Sequence, residues 1–240
     1  DGGRGGLARY IAQDGRIHSQ FGPGGTETTR LNSRKPNLQN EPHYVEIEEL
    51  ETKDAFRRIF VAPEGKAFLT ADWSQLEVWA QAYTTHDEEL LEALRSGQDI
   101  HTWVGRQMWP ELGPELSDTE WKEAYPEHRR RSKVFVFGVS YGLTGGGAHD
   151  RGVGDSVDEA EELIRLYLQG PGRALPPYFR LARREVIEQG WRSNIFGLRR
   201  HFGAAALIKA MGNRYDLEAW IREGINYPIQ SGGSLLHSAA

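Results

Sequence analysis

Apolar and polar positions alternate in strand fashion from Gly15 to Phe21, where Ile17, Ser19 and Phe21 share one side, and Gly22 to Gly25 reads as a turn. Asn32 to Pro42 is polar and Asn-rich with little pattern. Phe56 to Phe60 leads into a turn at Ala62-Pro63-Glu64-Gly65, and the apolar run Ala67-Phe68-Leu69-Thr70-Ala71 predicts a buried strand. Beyond it the period becomes helical. Ser74-Gln75-Leu76-Glu77 has capping-box spacing and predicts a helix running to about Thr84. Further helices are predicted over Glu88–Arg95, Ile100–Met108 and Glu127 to about Tyr141. The last of these ends in the glycines Gly142, Gly145, Gly146 and Gly147. Ser156-Val157-Asp158-Glu159 is a second capping box, opening a helix that Gly170 and Pro171 stop; another runs from Pro177 to Gln189. Trp191 to Phe202 predicts a hairpin turning at Phe196-Gly197. A helix over Asp216–Glu223 should end before Pro228, with one more opening between Ser231 and Ala240. Strands near both ends around a long helical stretch predict an α+β chain carrying a helical subdomain.

Composition narrows the class. With 240 residues, 38% hydrophobic and 26% charged, the chain can bury a core of one large domain or two interleaved ones. No apolar run approaches the roughly 18 residues a membrane span needs, and no signal peptide opens the chain. Asp1 rather than Met suggests a trimmed or processed start. The absence of cysteine excludes disulfides, thiolate metal sites and a cysteine nucleophile. A net charge of −5 argues against nucleic acid as a partner, but the basic footprint of a DNA binder is local. Arg129, Arg130, Arg131 and Lys133 form one basic stretch, and Arg199, Arg200 and His201 another.

Two constellations could carry chemistry. Asp72 follows the apolar run directly: it is either a strand-end cap for the next helix or a hard oxygen ligand for a divalent cation such as Mg²⁺. Glu77 reads either as the capping partner of Ser74 or as a site residue. Arg129, Lys133, Phe137 and Tyr141 recur every four residues, which sets them along one helical face. Two cations followed by two rings would suit phosphates and then a sugar and base; an amphipathic helix with buried rings and solvated cations fits the same spacing.

The words around these positions decide between the readings. Asp72-Trp73-Ser74-Gln75-Leu76-Glu77 resembles motif A of the family A DNA polymerases, the DNA polymerase I type. The stretch from Arg129 to Gly142 resembles their motif B, and Asp99-Ile100-His101-Thr102 between them matches another segment of the family. Asp14-Gly15-Arg16-Ile17-His18, Thr29-Arg30-Leu31 and Pro36-Asn37-Leu38-Gln39-Asn40 match upstream in order, as do Phe196-Gly197-Leu198-Arg199-Arg200 and Asn226-Tyr227-Pro228-Ile229-Gln230 downstream.

The resemblance implies a right-hand polymerase: a palm with an antiparallel sheet and an α-helical fingers subdomain. Residues 1–100 would be the first part of the palm with motif A, 101–190 the fingers with motif B, and 191–240 the return to the palm. It also implies template-directed transfer of deoxynucleoside triphosphates to a primer 3′-hydroxyl, with primer-template DNA as partner and two Mg²⁺ ions (Mn²⁺ as substitute). Asp72 and the Trp73 carbonyl would ligate metal, and Lys133 would give a proton to the leaving pyrophosphate. Arg129, Lys133, His101, Phe137, Glu77, Tyr141 and Gln75 would contact the nucleotide. In that set Phe137 packs on the sugar and disfavours dideoxynucleotides, Glu77 blocks a 2′-hydroxyl and Tyr141 stacks near the templating base. Arg30 and Gln230 would read the minor groove, with Asn37, Gln39, Asn40 and Tyr141 also touching DNA.

Four departures from the family pattern stand out. Trp79 occupies a place where the family carries Arg. The stretch between His101 and Arg129, with Pro110, Pro114 and Pro126, is long and predicts an inserted loop. The glycines after Gly142 predict a loose end to the motif B helix. Motif C, with the second metal aspartate, is expected beyond Ala240, in a longer chain or in a second one, so the 240 residues alone are expected to be inactive. A cytoplasmic setting, bacterial or virus-encoded, and no membrane association are expected. A single-subunit RNA polymerase and a non-catalytic nucleic-acid-binding subunit are the rival readings.

Overall fold

The computed structural model describes residues 6–23, 25–39, 44–47, 50–53, 59–203, 212 and 214–239, with side chains except at 44–47, 50–53, 214–216 and 239. The chain divides into two compact units, Asp1–Ser74 and Gln75–Ala240.

The first unit holds two antiparallel pairs. Strand β1 (Gln20–Gly22) pairs with β2 (Asn32–Arg34) in the register Phe21↔Ser33, and β3 (Tyr44–Ile47) pairs with β4 (Leu50–Lys53). The alternating run therefore folds as β1 plus an isolated bridge between Ile11 and Ile17. The patternless Asn-rich stretch supplies β2, because what orders it is a polar cluster and not an apolar stripe. The Ser33 hydroxyl accepts from the Leu38 amide (3.0 Å) and meets the Ser19 hydroxyl (2.7 Å), which donates to the Pro36 carbonyl (2.8 Å). Ala62–Gly65 turns as expected, the Lys66 amide donating to the Pro63 carbonyl at 3.0 Å. The buried strand expected at 67–71 is not there. The segment forms no regular element and is exposed, Leu69 at 95%, because no described strand pairs with it or covers it.

The second unit is helical: α1 (Leu76–Thr85), α2 (Glu88–Arg95), α3 (Ile100–Met108), α4 (Asp118–Ala124), α5 (Pro126–Ser140), α6 (Gly145–His149), α7 (Val157–Gln169), α8 (Leu175–Glu188), the hairpin β5 (Trp191–Ser193) and β6 (Arg199–His201), and α9 (Arg214–Ala239). Its core joins Val78, Ala80 and Ala82 of α1 to Ile100 and Val104 of α3, Phe135, Val136 and Val139 of α5, and Ile225 and Ile229 of α9. The small-residue face of α1 lets α9 approach, with Gly233 set against Leu76 and Ala80.

Several starts and stops differ from expectation. The box at Ser74 does not form. Gln75 is the N-cap, left-handed at φ 56°, and its side chain crosses instead to the Gln98 carbonyl (3.0 Å) and the Ile100 amide (2.8 Å). At α7, Ser156 accepts from the Glu159 amide (3.1 Å), but the Glu159 carboxylate reaches the Asp155 amide and leaves the box half made. The long stretch before Arg129 is no open loop. It contains α4, opened by a complete box between Ser117 and Glu120, and it seats Trp121 fully buried with its Nε1 donating to the Leu112 carbonyl at 2.8 Å.

The end of α5 is tight where looseness was expected. The Leu143 amide donates to the Gly138 carbonyl (2.8 Å) and the Gly142 amide to the Val139 carbonyl (3.0 Å), with Gly142 at φ +80°. This is the doubly bonded, glycine-terminated stop that satisfies the last carbonyls of a helix. The glycines beyond it form α6, capped by the Thr144 side chain.

Pro228 was expected to interrupt the last helix, yet α9 runs continuously through it. A proline cannot donate to the carbonyl four residues back. Here that carbonyl, on Gly224, accepts from Arg192 Nε at 3.2 Å. Arg192 is buried, ion-paired with Glu185, and lies over the Tyr178 ring at 5.1 Å. Gly224 must be small, since a Cβ there would meet Val186 of α8 at 2.3 Å.

Candidate nucleotide-binding face

The face of α5 forms as its four-residue spacing predicts. Arg129 and Phe137 are half-buried and Lys133 is exposed. Tyr141 is half-buried at the helix end, and Lys133 Nζ lies 5.6 Å from the centre of the Phe137 ring. Because α3 packs beneath α5, its N-terminus supplies what the face rests on. Asp99 caps α3, its Oδ1 accepting from the amides of His101 (3.1 Å) and Thr102 (3.2 Å). Its Oδ2 takes Arg129 Nε (2.9 Å) and Nη2 (2.6 Å). Burial works to raise the Asp99 carboxyl, but the Arg129 hydrogen bond and the Thr102 amide outweigh it and hold the group below its usual range.

His101 does not join the cations at the surface. It is 2% exposed, edge-on to Phe137 with ring centres 5.3 Å apart, and its Nδ1 has no partner among the described residues. Burial pushes its pKa down to about 4, against the pull of Asp99, so the ring is neutral near pH 7. Its carbonyl accepts from the Ser132 hydroxyl at 2.6 Å, another tie between α3 and α5.

Glu77 and Tyr141 are brought together, the Tyr141 hydroxyl donating to Glu77 Oε2 at 3.2 Å. Gln75 is committed to the α2–α3 turn through Gln98 and Ile100, so its amide is structural here. Of the basic stretch, Arg130 pairs with Glu127 and Arg131 lies 3.9 Å from the same carboxylate. Lys133 has no ion pair with a described residue.

The hairpin and α9 bring two of the recognised words into contact. Asn194 Oδ1 accepts from the amides of Phe196 (3.0 Å) and Leu198 (3.1 Å), and its Nδ2 donates to Ser231 Oγ (3.0 Å). The Tyr227 hydroxyl donates to the Leu198 carbonyl at 3.1 Å. Gln230 is half-buried, two residues past Pro228 on this supported helix.

In the first unit, Arg30, Asn37 and Gln39 are exposed. Gln39 Nε2 donates to the Leu31 carbonyl (3.1 Å), which sets it beside Arg30, and Asn37 Oδ1 accepts from the Gln39 amide (2.9 Å). Asn40 lies outside the described residues. Asp72 and Trp73 are exposed, just beyond the irregular segment 67–71. Among the described residues no group of three or more acidic, His or Cys side chains gathers to hold a metal. Asp72 and the Trp73 carbonyl are hard oxygen donors of the kind Mg²⁺ takes, so the chemistry of these two positions fits the ion.

Sequence reasoning missed Asp99 as the partner of Arg129, although an Asp directly before an apolar helical run is a readable N-cap. It also missed Gln81 and Ser140, which meet across the α1–α5 interface.

A family model described as DNA polymerase family A matches residues 5–240. DNA polymerase I of Mycobacterium tuberculosis (strain ATCC 25618 / H37Rv) is 34% identical over 229 residues, covering 94% of this chain and 23% of the relative. The thermostable DNA polymerase I of Thermus filiformis is 33% identical over 219 residues, covering 90% and 24%. Among solved structures, the POL domain of Pol1 from M. smegmatis, in complex with DNA primer-template and dNTP, matches at TM-score 0.74 and 33% identity, over 98% of this chain and 38% of that one. The chain thus spans about a quarter of the length of the curated relatives it matches.

Proposed function

This chain belongs to DNA polymerase family A, and we propose that it forms part of the catalytic core of a template-directed DNA polymerase. Residues 1–100 are assigned to the palm, 101–190 to the fingers and 191–240 to the return to the palm. The observation that carries the reading is the α5 face, where Arg129, Lys133, Phe137 and Tyr141 stand in a row with Glu77 bonded to the last of them.

In this reading the face takes a deoxynucleoside triphosphate lengthwise. Arg129, held by Asp99 through Nε and Nη2, keeps Nη1 for phosphate oxygens, and Lys133 is a mobile point charge beside it. The Phe137 ring packs on the sugar, supported from behind by the buried, neutral His101 ring. Glu77 occupies the space a 2′-hydroxyl would need. The primer 3′-hydroxyl loses its proton to solvent as its oxygen attacks the α-phosphorus, the bond to the bridging oxygen breaks, and the Lys133 ammonium gives its proton to the departing pyrophosphate. Asp72 and the Trp73 carbonyl would hold divalent metal, two Mg²⁺ ions in this reading, which neutralises developing charge. Arg30 and Gln230 read minor-groove acceptors common to all correct pairs, and Asn37, Gln39 and Asn40 position the backbone.

The test is primer extension by the complete native product with deoxynucleotides and then ribonucleotides, repeated with Glu77→Ala. A deoxy preference that falls at least tenfold in Glu77→Ala is expected. A native preference for ribonucleotides would favour an RNA polymerase. DNA binding with no extension would favour a non-catalytic module.

A further inference from the structure

Gln81 and Ser140 are buried, 3% and 2% exposed, in the interface between α1 and α5. The Ser140 hydroxyl donates to Gln81 Oε1 at 2.5 Å and also lies 2.8 Å from the Val136 carbonyl. Tyr167 of α7 is buried alongside. Its hydroxyl makes no hydrogen bond with a described residue, and burial pushes it up to about 12. A buried hydrogen bond thus joins α1 to α5 inside an otherwise apolar core, with Tyr167 of α7 packed nearby.

Its position explains why a polar pair stands there. On α1, Gln81 lies one turn beyond Glu77, so both project from the same face. On α5, Ser140 directly precedes Tyr141, and the doubly bonded stop at Gly142 and Leu143 makes this last turn a stiff unit. A hydrogen bond at Ser140 is therefore placed to fix the rotation of the turn that carries the Tyr141 ring, whose hydroxyl meets Glu77. A pair of apolar side chains could fill the same volume while sliding. A buried hydrogen bond has one good geometry, because leaving either partner unmade costs more than the bond gains.

We propose that Gln81 and Ser140 are positioning residues for nucleotide selection, a buried latch that holds the Tyr141 ring against Glu77 and so sharpens the choice of sugar. This rests on the reading of Glu77 as the residue that excludes a 2′-hydroxyl.

The test uses the complete native product and compares native, Glu77→Ala, Ser140→Ala and the double variant Gln81→Met/Ser140→Ala. For each, the ratio of kcat/KM for deoxy- over ribonucleotide is measured beside the melting temperature. Ser140→Ala leaves Gln81 unpaired, whereas the double variant removes both polar groups and is expected to recover most of the melting temperature. The latch predicts that the selection ratio nonetheless stays about tenfold down in the double variant. A double variant with native melting and a native ratio would overturn it, leaving the pair as core filling. If Glu77→Ala leaves the ratio unchanged, the parent reading of Glu77 fails instead, and the two failures are distinguished by that control.

Discussion

At the scale of single residues, the face of α5 is built by side chains whose partners lie far away in sequence. The four-residue spacing of Arg129, Lys133, Phe137 and Tyr141 was legible because a helix imposes it locally. That Arg129 would be held by Asp99, thirty positions earlier, was not, since only the packing of α3 beneath α5 joins them. The state of His101 was hidden in the same way, since burial between α3 and α5 holds its pKa near 4. An unfolded histidine titrates near 6.5, so between these values the unfolded chain binds a proton that the folded chain refuses. Stability must therefore fall as pH is lowered through that window, by up to about 3 kcal/mol from this one group. Urea melts at pH 7 and pH 4.5 should show the loss, with a shallower dependence in His101→Gln. An identical pH dependence in the variant would mean that the ring is solvated in the native state.

At the scale of elements, local signals served where the chain obeys them alone. The bounds of α2 and α3 match their expected ranges because Asp87 and Asp99 cap them from the adjacent position. Signals failed where a distant group intervened. Ser74 and Glu77 have the box spacing, but Gln75 is drawn to the α2–α3 turn. Pro228 reads as a break, but Arg192 satisfies the carbonyl that proline leaves open. Arg192→Met should cost about 3–5 kcal/mol with Pro228 in place, because it strands the partners of a buried charge. In a Pro228→Ala background the new amide can bond Gly224, and the cost should drop by about 1 kcal/mol. Denaturant melts of the four chains measure the cycle, and equal costs in both backgrounds would contradict the role given to Arg192.

At the scale of the molecule, the two compact units differ in how they are held. The helical unit has a continuous apolar core, whereas the described part of the first is ordered by short strand pairs and polar ties such as Ser19–Ser33. The segment 67–71 shows the limit of reading burial from an apolar run: a run is buried only when something covers it. In this chain its amides should exchange with solvent within seconds while those of α3 and α5 stay protected for far longer. Slow exchange at Phe68 and Leu69 would show that they pair. No helix among the described residues is long and apolar enough to cross a membrane. The net charge of −5 does not describe the α5 face, where Asp99 and Glu127 meet Arg129, Arg130 and Arg131 while Lys133 has no ion pair with a described residue.

The claim on which all of this depends is that the family's chemistry operates here, with Asp72 as a metal ligand. Its most direct measurement is Mg²⁺-dependent primer extension by the complete native product beside the Asp72→Ala variant. The account predicts extension with deoxynucleotides that requires the cation and falls by at least a thousandfold in the variant. Extension that survives Asp72→Ala, or primer-template binding with no extension by the native protein, would contradict it.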